Sequence, residues 1–181
     1  MVGNPQTPQT LVILKGQGNF EFFFEGEEKK YWRVRDHPDF PGWFIVDKFE
    51  DGWYVDSFSD AYENAGVSDL QGLLRRLVNE PEATLEGLFG KKFQIKEVKV
   101  EEKTDEAVGY IREICRLMPE VYNVAMHPPS KEAERKALNL LRELNDLLIA
   151  FQELLTGVRG LDFGKVDTIL VHAQRTLKER R

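Results

Sequence analysis

The sequence predicts an α+β protein: an antiparallel sheet domain carrying one helix, followed by a helical segment of bundle or coiled-coil character. Three observations support this class. Of the 20 aromatic residues among 181, 16 fall in residues 1–104, and aromatic and β-branched runs favour strands. Residues 1–104 hold 13 basic and 19 acidic side chains, whereas 105–181 hold 12 of each. Leucine at helical spacing is concentrated in the second part. The charged run Glu101-Glu102-Lys103-Thr104 marks the joint. The expected organisation is a loose tail over 1–9, a sheet domain over 10–104 and a helical domain over 105–181.

Thr10–Lys15 reads as a short apolar strand. Asn19–Glu25 and Lys30–Asp36 read as two strands joined across Gly26-Glu27-Glu28-Lys29. Trp43–Glu50 and Trp53–Phe58 flank Asp51-Gly52, the strongest short hairpin signal, because a type I′ turn needs positive φ at both central positions. Ser68 can cap a helix reaching about Asn79, with Leu70, Leu73, Leu74 and Leu77 on one face. Lys92–Glu101 returns as the last strand of the sheet. Beyond the joint, Asp105–Met118 is an amphipathic helix. Pro119 suits the first turn of a restarted helix, and His127-Pro128-Pro129 ends it. Ser130 caps the next helix and Gly157 stops it. A last helix runs from about Gly164 to Lys178, its end made basic by Arg175, Lys178, Arg180 and Arg181.

Composition narrows the function. A net charge of −6 and a pI of about 5.2 exclude a strongly basic nucleic-acid binder but leave room for a local basic patch. The lone Cys115 cannot close an intrachain disulfide, which points to a reducing, cytoplasmic setting. Met1–Thr10 is polar with two prolines and lacks the apolar core of a signal peptide. No apolar run approaches the ~18 residues that cross a bilayer, so no membrane partner is expected.

The long helix carries an assembly signal. With Ala137 at heptad position a, the a positions are Ala137, Leu144 and Phe151, the d positions Leu140, Leu147 and Leu154, and the e positions Leu141, Leu148 and Leu155. A two-stranded coiled coil needs only a and d. Filling e as well widens the stripe to that of a helix packed on two sides. An internal three-helix bundle absorbs such a stripe, as does a homodimer or tetramer. The candidate oligomerisation residues are Leu140, Leu141, Leu144, Leu147, Leu148, Phe151, Leu154 and Leu155.

The sheet carries aromatics on both faces. A two-residue loop at Asp51-Gly52 pairs Phe49 with Tyr54, Lys48 with Val55 and Asp47 with Asp56. One face then holds Trp43, Ile45, Asp47, Phe49, Tyr54, Asp56 and Phe58, and the other Phe44, Val46, Lys48, Trp53, Val55 and Ser57. Neither is polar, so both need cover: one from the helix at 68–79, the other from the C-terminal helices, a partner or a ligand. In the first hairpin, odd-sum pairing sets Phe20, Phe22 and Phe24 beside Tyr31, Arg33 and Arg35. A bulge at Gly26 instead packs the three Phe with Trp32 and Val34 and exposes Phe23, Tyr31, Arg33 and Arg35. The second arrangement segregates apolar residues from arginine and is the expected one.

Aromatics interleaved with arginine suit single-stranded DNA or RNA. Each stacked base contributes ~1–3 kcal/mol, and arginine pairs phosphate or stacks itself. The candidate nucleic-acid-binding residues are Phe23, Tyr31, Arg33, Arg35, Trp43 and Tyr54, with Lys91, Lys92, Lys96 and Lys99 available to phosphate. The competing expectation is a non-enzymatic assembly subunit whose second sheet face binds a protein partner.

The two aromatic hairpins, Phe20–Arg35 and Trp43–Phe58, followed by the Ala137–Leu155 stripe, resemble the ThermoDBP-like single-stranded-DNA-binding proteins of thermophilic archaea. The resemblance is architectural and spans most of the chain. It implies single-strand binding in a cleft of the N-terminal domain and oligomerisation through C-terminal helices. Leu85–Val100 is also similar to the last part of some phage OB-fold proteins, although six strands do not fit the five-stranded OB order.

Other constellations carry less. Asp47 opposite Asp56 would place like charges together unless a cation answers them, as in a metal-dependent nuclease, but no further acid or histidine is placed beside the pair. Gly87-Leu88-Phe89-Gly90 matches the GxxG loop of KH domains, yet a strand rather than a helix follows it. The P-loop pattern GxxxxGK[ST] is absent. His37, His127 and His172 lack zinc spacing. Cys115, with Ile111, Ile114 and Met118, reads as a packed thiol rather than a nucleophile. No catalytic residue, metal or cofactor is expected.

Overall fold

The computed structural model of the chain describes residues 7–158 and 160–179. The expected tail, as far as residue 6, and Arg180 and Arg181 lie outside the described residues. Two units are present, residues 1–103 and 104–181.

The first unit is built on β1 (Gln9–Lys15), β2 (Asn19–Phe24), β3 (Lys30–Asp36), β4 (Trp43–Glu50), β5 (Trp53–Ala61) and β6 (Ile95–Glu102). The sheet order is β5-β4-β3-β2-β1-β6. The first five strands form an antiparallel meander. β6 pairs with β1 in parallel, which corrects the all-antiparallel expectation. The chain from β5 to β6 crosses the sheet through two helices, and a crossover of that kind delivers a parallel strand.

The crossover holds a 3-10 turn over Tyr62–Ala65, then α1 (Leu70–Asn79) and α2 (Pro81–Phe89). Asp69, not Ser68, caps α1, its carboxylate accepting the Gly72 N–H at 2.8 Å. The helix α2 was not expected from the sequence. Pro81 opens it, and Gly90 closes it with φ 69°. Thr84 ties the two helices together, its hydroxyl donating to the carbonyls of Arg76 at 3.1 Å and Glu80 at 2.7 Å.

One face of the sheet packs on these helices. Leu11, Ile13, Phe20, Phe22, Phe24, Val34, Phe44 and Val46 meet Leu70, Leu73, Leu74, Leu77 and Leu85 in a single core. Each such burial contributes about 1.5–3 kcal/mol. Phe20 lies opposite Val34 and Phe22 opposite Trp32, the parity expected from a shift at Gly26, whose φ is 90°. Asp51 and Gly52 have φ of 53° and 80°, as a type I′ turn requires. A bulge follows: Phe49 pairs with Tyr54, but Lys48 pairs with Asp56 and Asp47 with Ser57. The extra residue, Val55, moves Asp56 to the face away from Asp47, so the expected Asp47/Asp56 pair does not form.

The second unit is a three-helix bundle of α3 (Glu106–Met126), α4 (Lys131–Leu155) and α5 (Phe163–Lys178). Pro119 lies inside α3 without ending it. The buried stripe of α3 is Tyr110, Ile114, Leu117, Val121 and Val124. Cys115 sits one residue off that stripe and is exposed, not packed as expected. In α4 the buried residues include Ala137, Leu140, Leu144, Leu147 and Phe151. The bundle's own interior therefore takes most of the a and d positions. The rings of Tyr110, Phe151 and Phe163 cluster at 5.3–6.0 Å. The Tyr110 hydroxyl donates to the buried Asp167 carboxylate at 2.6 Å, so this polar pair is satisfied. Among the described residues, no helix is long and apolar enough to cross a membrane.

Candidate functional site

The two faces of the sheet place the expected site residues very differently. On the face away from α1 and α2, register aligns Glu21, Arg33 and Asp47 across β2, β3 and β4. Arg33 Nε lies 3.6 Å from Glu21 Oε1. Lys103 Nζ pairs with the same carboxylate and donates to Asn19 Oδ1 at 2.9 Å. Arg35 grips Asp47 with two bonds, Nε to Oδ2 at 2.8 Å and Nη2 to Oδ1 at 3.4 Å. Exposure is 0% for Asp47, 3% for Arg35 and 6% for Arg33. The exposed arginines expected here are thus buried and engaged with carboxylates. The physical reason is cross-strand adjacency: each arginine stands beside an acid from a neighbouring strand, and opposite charges on one face attract.

Rings shield this charge ladder. Tyr31 stacks on Phe49 with centroids 4.9 Å apart and planes 7° from parallel. The Arg33 guanidinium lies 4.7 Å from the centre of the Phe49 ring. Tyr54 meets Phe49 edge-on at 6.3 Å, and its hydroxyl lies 3.0 Å from Ser57 Oγ. Burial pushes the Glu21 carboxyl up, but the charges of Arg33 and Lys103 and the hydrogen bonds from both outweigh it and hold the group below its ordinary value of 4.5. Phe23, facing Val12 in register, and Trp43, two residues from Ile45 along β4, share this face.

The helix-bearing face is different at its outer end. Register sets Trp32, Lys48 and Asp56 in one row across β3, β4 and β5, and Val34, Val46 and Phe58 in the next. The end of α2 brings Phe89 to this corner, 5.3 Å from Trp32 and 5.9 Å from Phe58 between centroids. Lys91 follows after the left-handed Gly90. Trp32, Lys48, Asp56, Phe58, Phe89 and Lys91, with Val46 and Ser57, line a cleft of about 230 Å³. That is below the ~300–1,000 Å³ of drug-sized sites and suits one flat ring system. Trp32 is held in place by Phe22, stacked at 5.4 Å and 15°. Phe58 is the more open wall, 37% exposed.

Of the residues expected to bind nucleic acid, the structure brings Lys91 to this cleft. Phe23, Tyr31, Arg33, Arg35, Trp43 and Tyr54 lie on the opposite face. Lys92 and Lys96 are exposed, while Lys99 pairs with Glu25 at 2.7 Å. Trp32, Lys48, Phe58 and Phe89 line the cleft without having been expected to bind. The missed signal was α2 itself, because a proline at its start and a glycine just past its end are ordinary helix punctuation. Among the described residues, no group of three or more His, Cys, Asp or Glu side chains is placed to hold a metal ion.

The fold and site define an α+β protein with an aromatic cleft at one corner of its sheet. Comparison of the chain with known protein families, with curated proteins and with solved structures finds no match.

Proposed function

We propose that this protein binds single-stranded nucleic acid by taking a base into the cleft between Trp32, Phe58 and Phe89. The observation that carries the reading is the convergence of three rings from β3, β5 and α2 on one open cleft, with Lys48 and Lys91 beside it. Every base has a π-face, so stacking supplies affinity without sequence reading, and lysine at the margin meets the backbone phosphates. The resemblance to the ThermoDBP-like proteins points the same way. An acidic chain can bind a single strand if stacking rather than charge supplies most of the affinity.

The test is a titration of a labelled oligothymidylate of about 12 nucleotides, read by anisotropy and by quenching of tryptophan emission. Phe58→Ala removes the exposed wall and should weaken binding about tenfold with little change in thermal stability. No binding at about 10 μM, or equal binding by the variant, would overturn the proposal.

A second proposal concerns assembly. Leu138, Ile149 and Leu155 are exposed on α4, Leu155 at 64%, and Leu141 and Leu148 on the same side are half-buried. Residues 131–142 of this helix carry Lys131, Arg135, Lys136 and Arg142 against Glu132 and Glu134, whereas 143–155 carry only Glu143, Asp146 and Glu153. Two copies packing this face antiparallel about a two-fold axis bring unlike charges together and bury the leucines. Size-exclusion chromatography with light scattering checks it: a dimer that Leu155→Asp dissociates is expected, and a monomer removes the idea.

A further inference from the structure

The cleft has a polar side as well as an aromatic one, and that side points to a particular base. We propose that Asp56 reads the Watson–Crick edge of guanine. This rests on the cleft being a nucleic-acid site. Asp56 lines the cleft next to its register partner Lys48 and two residues from Phe58 along β5. Its Oδ1 accepts the Ser57 N–H at 2.8 Å, which fixes the carboxylate against its own strand. An ionised carboxylate only accepts hydrogen bonds, and its two oxygens match two adjacent donors.

Among the common bases, guanine alone offers such a pair, N1–H and the N2 amino group, with the O6 acceptor beside them. Adenine and cytosine present one amino group flanked by a ring nitrogen that a carboxylate repels. Thymine and uracil present one N–H between two carbonyls. With the base in the cleft beside Phe58, the Asp56 carboxylate takes the two guanine donors. A bare aromatic cleft would treat all bases alike, so Asp56 makes it selective.

The experiment compares thymidylate strands about 6 nucleotides long that carry one central guanine, inosine, adenine or cytosine, bound to the wild-type chain and to D56N and D56A. Inosine lacks only the N2 amino group. The guanine strand should bind roughly tenfold tighter than the inosine or all-thymidine strand. The guanine-over-inosine ratio should fall to about one in D56A and shrink in D56N, where one acceptor oxygen remains, whatever common shift both variants show on the all-thymidine strand. Equal wild-type affinities for every strand overturn guanine reading and leave the single-strand function standing. So does an equal loss for all strands in D56A, which marks Asp56 as structural. Binding to no strand overturns the single-strand function itself.

Discussion

One sheet uses aromatic rings in two ways on its two faces. On the ladder face, Tyr31 and Phe49 stack over buried ion pairs, and the rings act as cover. At the cleft, Phe89 meets Phe58 edge-on and Trp32 at a tilt of 58°, and the three rings line an open hollow. The difference teaches that arginine interleaved with aromatics along a strand does not by itself make a binding surface. What stands across from each arginine decides. Glu21 and Asp47 close the charges of Arg33 and Arg35 inside the protein, whereas the lysines at the cleft, Lys48 and Lys91, are partly or fully exposed.

The largest expected effect of breaking this contrast falls on the ladder. Arg35→Met leaves the Asp47 carboxylate buried without its bidentate partner. Removing one member of a buried pair costs about 3–5 kcal/mol, so the urea midpoint of the full chain should fall sharply. The double variant R35M/D47L, which removes both charges and keeps apolar volume, should recover much of that loss. If R35M unfolds no more easily than wild type, the ladder is not structural, and the arginine face becomes a candidate binding surface beside the cleft.

Much of this fold was legible in the sequence, and the failures have specific causes. The Asp51-Gly52 turn and the Phe22–Trp32 pairing follow from local chemistry: a dipeptide that tolerates positive φ, and segregation of apolar residues from charge. The bulge at Val55 was not legible, because a two-residue loop reads the same whether or not the next residue slips. That slip moved Asp56 from the ladder face to the cleft. The burial of Arg33 and Arg35 was hidden for a related reason. Alternation along one strand shows which face a side chain takes but not which neighbours stand across from it, and Glu21 and Asp47 come from two other strands. Phe89 was missed because α2 has only nine residues, with Thr84 and Leu85 buried, too few to show a helical period.

A smaller effect tests how the ladder is wired. Arg33 and Lys103 hold the Glu21 carboxyl below 4.5 in the folded chain. A depressed carboxyl contributes stability that is present above its unfolded value and lost as pH falls through the folded one. Glu21→Gln should therefore be less stable than wild type at neutral pH. The gap should narrow as pH drops below about 4.5 and the wild-type carboxyl takes up its proton. Urea titrations across that range measure it, and a gap that stays constant with pH would mean that Glu21 contributes through shape alone.

The smallest effect separates the lysines at the cleft from those beyond it. Each lysine that meets a phosphate adds ~0.7 to the slope of log affinity against log salt for a single strand. Lys91→Ala and Lys48→Ala should each flatten the slope by about that amount without changing thermal stability, since neither side chain belongs to the core. Lys92→Ala and Lys96→Ala then measure how far the strand runs. Lys96 lies on β6, at the sheet edge opposite β5. A slope lowered by Lys92→Ala but not by Lys96→Ala ends the track just past Gly90. A slope lowered by both carries the strand along the loop from α2 to β6, and a slope unmoved by any of the four variants removes phosphate from the cleft altogether.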